Sequence, residues 1–272
     1  MPRSCRLTLM IDVRGHRALV TGGTQGVGRA IAVALARAGA DVVVHGLRQD
    51  DAARETAALC SAAGVEVAVV DGDLSQPSPE AALRLFERAT TALPGIDLLV
   101  NNAGSCFETA HTYFDVDGEL FERTMRLNVA APFFLTQCFA RAWVAEGVAG
   151  RVLLTGSING RLAEPNHAAY DTSKGAVEMM VKTLCVSLAP HRIRVNGVAP
   201  GLVYTPLTAA ALDQPRVRTW MELHTPNGEV PGPEVCGDAA VFLLSDAASH
   251  VHGQMLLVDG GMSIWQQPDL PA

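Results

Sequence analysis

The chain has 272 residues, 49% of them hydrophobic, which is ample for a large core and suits one long α/β domain. Acidic residues (28) outnumber basic ones (21), the formal charge is −7, and no basic stretch is long enough to clamp a nucleic-acid backbone, so nucleic acid is excluded as a partner. No run of about eighteen uncharged apolar residues occurs, so neither a transmembrane helix nor a membrane partner is expected.

Residues 1–13 read as a flexible lead-in without the apolar centre of a signal peptide, and Met10 is an alternative start. The reading is therefore cytoplasmic. A short buried strand follows at Ala18-Leu19-Val20-Thr21, then an Ala-rich amphipathic helix over 26–39 that closes at Gly39. The next strand is 41–45, the next helix 50–63, ended by Gly64. A strand at 65–70, a helix at 79–92 stopped by Pro94, and a strand at 96–100 continue the alternation. A long helical stretch covers 117–146, a strand 152–155, a helix 168–189 ended at Pro190, and a strand 193–198. Thr- and Pro-rich residues 202–231 break the rhythm before a last helix at 233–245 and a strand at 255–258. Strands alternating with helices predict βαβ units. Continuous Val/Leu runs predict strands covered on both faces. The expected fold is a Rossmann-like, doubly wound parallel sheet of about seven strands, in one domain over 14–264 with a tail at 265–272.

Three segments carry chemistry. Gly22, Gly26 and Gly28 lie between the first strand and its helix, where glycine admits a close ligand and a helix N-terminus offers free N–H groups to a phosphate. Asn101-Asn102-Ala103-Gly104 ends the strand at 96–100, and Asp73-Leu74 follows the strand at 65–70. Both belong to the carboxyl edge of the sheet, where open α/β folds bind ligands. Asp73 is placed to accept from an adenine amino group. Finally, Ser157 precedes Tyr170 by thirteen residues, and Tyr170 and Lys174 stand at i and i+4 on one helix face. An ammonium beside a phenol favours the phenolate and draws the phenol's pKa down toward neutrality. Each motif alone has a plain alternative: a tight turn, a polar loop, a surface helix pair. In one frame they point to proton and hydride chemistry on a nicotinamide.

The ordered set Thr21-Gly22-x-x-x-Gly26-x-Gly28, Asn101-Asn102-Ala103-Gly104, Asn128, Ser157, Tyr170-x-x-x-Lys174 and Pro200-Gly201 resembles the short-chain dehydrogenase/reductase family from about residue 14 to 264. The terminal Val258-Asp259-Gly260-Gly261 is similar to that family's last strand and turn. The resemblance implies an NAD(P)(H)-dependent enzyme interconverting a secondary alcohol and a ketone, with a sugar, a polyol and a hydroxy/3-oxo compound as the candidate substrates. It implies Tyr170 as general acid/base, Lys174 tuning it and holding the nicotinamide ribose, Ser157 on the substrate oxygen, and Asn128 bracing the active-site helix and a water relay. Cofactor contacts are implied for Gly22, Thr24, Gln25, Gly26, Val27, Gly28, Arg48, Asp73, Leu74, Asn101, Ala103, Gly104, Tyr170, Lys174, Pro200, Gly201 and Val203, and substrate contacts for Ser157, Asn159 and Tyr170. Asp171 stands where the family often has a small residue, and its charge is expected to face solvent or a subunit interface. A homo-oligomer, tetramer or dimer, is implied through 117–146, 168–189 and the C-terminal region.

Gly46 stands where many NAD-dependent relatives carry Asp. Arg48 can pair a ribose 2′-phosphate and His45 lies nearby, whereas Gln25 replaces the Lys or Arg of many NADP-dependent relatives; the balance leans to NADP. The expected substrate lid near 202–231 brings Tyr204, Trp220, Met221 and His224, with Trp220 and Met221 as lid core. Cys106, Glu108, Arg161, Glu164 and His167 read equally as contacts for a hydroxylated substrate or as ordinary surface residues, and no ligand spacing suggests a metal. Six scattered cysteines (5, 60, 106, 138, 185, 236) read as reduced, mostly buried thiols. Two rival readings remain: a non-catalytic dinucleotide-binding sensor or scaffold, and non-redox chemistry such as epimerisation.

Overall fold

In the computed structural model, residues 11–107 and 112–265 are described; Cys5, Met10, Glu108 and all of the tail but Trp265 lie outside them. The Val/Leu runs form seven parallel strands: β1 (Arg17–Val20), β2 (Asp41–Gly46), β3 (Val67–Asp71), β4 (Leu98–Asn101), β5 (Arg151–Thr155), β6 (Arg194–Pro200) and β7 (Met255–Val258). Their order is β3-β2-β1-β4-β5-β6-β7, and each neighbouring pair is parallel. The chain winds outward from β1 in both directions. The crevice between β1 and β4 is thus the switch point at which such sheets bind ligands.

Helices cover both faces. On one, α1 (Gly26–Arg37) and α9 (Val235–Leu244) pack Ile31, Leu35, Ala240 and Leu244 against Val20, Val42 and Val100, with Cys60 of α2 (Asp51–Ser61) at the margin. On the other, α3 (Glu80–Ala92), α5 (Ala131–Glu146) and α6 (Ala168–Leu188) pack Leu85, Leu135, Phe139 and Val181 against Leu19, Leu99 and Leu154. Phe139 meets Phe86 edge to face at 4.9 Å. Each such fully buried side chain contributes roughly 1.5–3 kcal/mol. Local chemistry closes the elements. Gly39, at φ +95°, turns α1 into β2, and the Asp50 side chain caps α2 by accepting from the Ala53 N–H at 3.0 Å. Buried Arg194 donates to the carbonyls of Leu243, Ser245 and Ala248, tying β6 to the negative end of α9.

Two departures from the sequence reading bear on the site. The stretch 117–146 is not one helix: α4 (Gly118–Met125) passes through a π-helical turn at Arg126–Ala130 into α5. Pro132 has no N–H for the carbonyl of Asn128, and the Ala131 N–H reaches back five residues to Arg126. The segment 202–231 contains two short helices, α7 (Ala209–Leu212) and α8 (Pro215–Leu223). Trp220 there is 51% exposed and stacks on His224 at 3.8 Å, so it is not lid core. Of the described cysteines, Cys60 and Cys236 are buried while Cys106, Cys138 and Cys185 are half-buried, and none of the five is in a disulfide.

Candidate active site

The glycine turn has little spare room. Gly22 and Gly26 hold φ +61° and +53°, and a Cβ on Gly28 would stand 2.1 Å from the carbonyl oxygen of Gly22. The neighbouring turn presses close: a Cβ on Gly22 would sit 3.0 Å from Cα of Ala103. Thr21 and Asn102 join the two turns. The Thr21 hydroxyl accepts from the N–H groups of Asn102 and Ala103 at 2.9 Å, and Asn102 Nδ2 donates to the carbonyls of Thr21 (3.0 Å) and Gly22 (3.2 Å). Thr24 is held from behind, because Arg29 and Thr56 all donate to its carbonyl. Arg29 also pairs with Glu55 at 2.9 Å, so its charge is engaged away from the turn. A backbone cradle with no space for side chains at the positive end of α1 fits a dinucleotide pyrophosphate.

His45 differs from its expected place beside a 2′-phosphate. It is 2% exposed beneath the turn, where Nδ1 accepts from the Gly22 N–H at 3.3 Å and Nε2 donates to the Gly72 carbonyl at 3.0 Å. Burial pushes its pKa down to about 4, so the ring is neutral and bridges β1, β2 and the turn after β3. Gly46 is buried, and a Cβ there would meet Cγ2 of Thr24 at 2.5 Å; Arg48 and Gln25 are both exposed beside it. Asp73 lies at the rim but spends its carboxylate on Ser75 and Gln76, with Leu74 buried behind it. The Asn101 side chain points away from the groove and donates to the Thr136 hydroxyl at 2.9 Å inside the β4–α5 contact, leaving its backbone for any ligand. Alternation along β4 puts it there.

At the far side of the crevice, Ser157 lies two residues past β5, while Tyr170 and Lys174 lie on the first turns of α6. Lys174 is 6% exposed, its Nζ donates to the Thr155 carbonyl at 3.0 Å, and it stands 5.5 Å from the Tyr170 ring centre. Burial pushes the Lys174 pKa down to about 8. The Tyr170 phenol is pushed up to about 12 by burial, and a hydrogen bond from Ser157 offsets only part of this. The expected lowering by Lys174 is therefore absent in the chain alone: desolvation of the phenolate outweighs the Ser157 hydrogen bond. The phenol keeps its proton at neutral pH, as a donor to a ketone oxygen must.

Asn128 occupies the π-helical turn. Its Nδ2 donates to the Ser105 carbonyl (2.9 Å) and to Ser173 Oγ (3.0 Å), and its Oδ1 accepts from the Ser105 N–H (3.0 Å). Ser173 in turn donates to the Tyr170 carbonyl at 2.6 Å, so this amide ties the loop after β4 to the turn of α6 that carries Tyr170. The signal for this turn was in the sequence: a proline four residues after a polar residue, inside a helical pattern. Asn159 spends its amide on Glu164 and Ser157 in its own loop and on Asp171 of α6. Asp171 faces that loop rather than solvent or a subunit interface, because two N–H donors converge on its carboxylate. His167 Nδ1 lies 3.1 Å from Glu164 Oε2, near enough for an ion pair but not aligned for a hydrogen bond. Beyond β6, a Cβ on Gly201 would meet Asp259 at 2.6 Å, buried Val203 follows, and Thr205 abuts Gly26. A groove of about 1100 Å³ between α1, α9 and residues 204–209 touches Gln25 and Gly26, but Ser157, Tyr170 and Lys174 do not line it. Among the described residues no cluster of metal-ligating side chains occurs.

Fold and site together define a doubly wound dinucleotide-binding enzyme with a Ser–Tyr–Lys set across the crevice from its phosphate cradle. A family model described as enoyl-(acyl carrier protein) reductase matches residues 22–263. The chain is 34% identical to L-rhamnose 1-dehydrogenase (NADP(+)) of Thermoplasma acidophilum over 94% of this chain and 99% of the relative. It is 35% identical to L-xylulose reductase of Bos taurus over 92% and 98%. A gluconate 5-dehydrogenase from Burkholderia cenocepacia, solved with NADP and tartrate, superposes with TM-score 0.86 at 31% identity over 94% of this chain and 98% of that one. The protein belongs to the short-chain dehydrogenase/reductase family. It is an NAD(P)-dependent oxidoreductase acting on hydroxyl and keto groups.

Proposed function

We propose that the enzyme interconverts a ketone and a secondary alcohol on a polyhydroxylated small molecule, a sugar, sugar acid or polyol, with NADP(H) preferred. The observation that carries the chemistry is the arrangement of Tyr170 one helical turn from buried Lys174, whose Nζ lies 5.5 Å from the phenol ring centre, with Ser157 just past β5. When bound, the nicotinamide supplies or accepts the hydride. Ser157 orients the substrate oxygen, and Tyr170 donates the proton to it in reduction and takes it back in oxidation. Lys174 holds the nicotinamide ribose, and Asn128 braces the helix beneath. Gly22, Gly26 and Gly28, with the backbone of Asn101 to Gly104 and the segment from Pro200 to Val203, hold the dinucleotide.

The substrate class rests on relatives whose names are those of sugar dehydrogenases and reductases. The cofactor preference rests on Gly46 in place of an acid, exposed Arg48, and relatives named for or solved with NADP. Five described cysteines outside any disulfide support a reducing compartment such as the cytoplasm. Among the described residues no helix is long and apolar enough to cross a membrane. Exposed Phe133 and Val144 on α5 and Met179 and Val186 on α6 support a homotetramer or homodimer, checked by light scattering.

The test is nicotinamide absorbance with L-rhamnose, L-xylulose and 5-keto-D-gluconate, each with both cofactors. Turnover on at least one, with a lower KM for NADP(H), is expected, and Arg48→Ala raises that KM about tenfold, as loss of one phosphate partner requires. Equal KM values for both cofactors overturn the NADP preference. Cofactor binding without turnover on any polyol or sugar overturns the substrate class.

A further inference from the structure

The loop that carries Ser157 lies flat on the helix that carries Tyr170 and Lys174, and two carboxylates hold it there. A Cβ on Gly160 would stand 3.0 Å from the Lys174 carbonyl oxygen, which measures how closely the loop backbone approaches α6. Arg161 Nε donates to both Glu178 oxygens at 2.9 and 3.0 Å. Seven residues earlier on the same helix face, Asp171 Oδ2 accepts from the Glu164 N–H at 2.7 Å and Oδ1 from Asn159 Nδ2 at 2.8 Å. The Asn159 N–H donates to Ser157 Oγ at 3.1 Å, and its Oδ1 lies 3.3 Å from that same oxygen.

We propose that Asp171 is a positioning residue for Ser157, acting through the amide of Asn159. A carboxylate only accepts hydrogen bonds, so Asp171 dictates which end of the amide faces it. Nδ2 must turn to Asp171, and Oδ1 is thereby presented to Ser157. Nδ2 has a second, longer and more exposed partner in Glu164 Oε1 at 3.1 Å, so without the Asp171 anchor the amide is held more weakly against turning over and offering Ser157 Oγ a second N–H donor. The hydroxyl then loses the orientation in which it meets Tyr170 and a substrate oxygen. Asp171 touches neither substrate nor cofactor in this scheme, and Asn159 is spent on orientation rather than on substrate.

The inference rests on Ser157 and Tyr170 being the reacting pair, so the wild-type enzyme is first shown to turn over a ketone with NADPH. Absence of that turnover overturns the functional reading and, with it, the premise of this proposal; with turnover in hand, the variants decide the Asp171–Asn159–Ser157 contact alone. Asp171→Ala, Asp171→Asn and Asn159→Ala are each expected to lower kcat roughly tenfold or more, the scale of a small misplacement at a reacting group. KM for the ketone and Kd for NADPH, by fluorescence titration, stay within about twofold, since uniform binding is untouched. The double variant Asp171→Ala/Asn159→Ala falls no further than the worse single, because both sever one chain of contacts. Asp171→Asn keeps side-chain size and serves if the alanine variant does not fold. Unchanged kcat in Asp171→Asn, multiplying losses in the double variant, or a raised ketone KM in Asn159→Ala each overturns the proposal.

Discussion

His45 makes the stability of the cofactor turn depend on pH. Buried between β1, β2 and β3, it holds the Gly22 N–H and the Gly72 carbonyl with one neutral ring, and its pKa lies near 4 against an ordinary 6.5. Between these values the unfolded chain takes up a proton that the folded chain refuses. The His45 contribution is therefore complete above pH 6.5 and is lost as pH falls toward 4. The full linkage is about 3 kcal/mol, and at pH 5 about 2 kcal/mol of it is gone, a large share of a typical 5–15 kcal/mol. Urea unfolding at pH 7.5 and pH 5 measures the loss. Other groups titrate in the same window, so the diagnostic quantity is the difference between wild type and His45→Asn. That variant keeps an acceptor for the Gly22 N–H but gives up the Gly72 bond, at a cost of about 1–3 kcal/mol at neutral pH. Its stability falls by about 2 kcal/mol less than wild type between the two pH values. Identical losses in the two proteins would refute the buried, neutral His45 and its role under the turn.

Two further perturbations test the frame. Gly28→Ala places a Cβ 2.1 Å from the Gly22 oxygen and 2.4 Å from Asn102 Nδ2, so both turns must shift; NADPH affinity, by fluorescence titration, falls at least tenfold, while unaltered affinity would show that the cradle is not there. Arg194→Met leaves the carbonyls of Leu243, Ser245 and Ala248 without their buried donor, and thermal or urea unfolding should show about 3 kcal/mol or more of destabilisation; a loss below about 1 kcal/mol would mean water serves α9 as well.

Much of the fold was legible because both faces of the sheet are covered. Strands such as Val42–Val44 and Leu98–Val100 are buried throughout and read as plain apolar runs, and Gly39, Pro94 and Pro190 mark where helices and their turns end. The expectation that Gly22, Ser157, Tyr170 and Lys174 share one crevice came from strand ends, the i, i+4 helix spacing and the family resemblance together. What was not legible depends on the direction of side chains and on desolvation. His45 and Asn101 lie at strand ends beside the crevice, yet the pleat turns both into packed interfaces. Asp171 reads as a surface charge until the loop from Ser157 folds over it. The i, i+4 spacing of Tyr170 and Lys174 suggests a lowered phenol pKa, but burial, which spacing does not reveal, sets the opposite direction. Thr21 and Asn102 stand inside recognised motifs, and only the contact between their two turns shows what each side chain holds.

The most direct test of the account is Tyr170→Phe, which removes one hydroxyl and keeps the ring that packs above Lys174. NADPH binding is expected within about twofold of wild type, while kcat for ketone reduction falls by 10²-fold or more, the typical scale of a positioned general acid. Turnover preserved in this variant would contradict the assignment of the proton to Tyr170, and with it the chemistry proposed for the site.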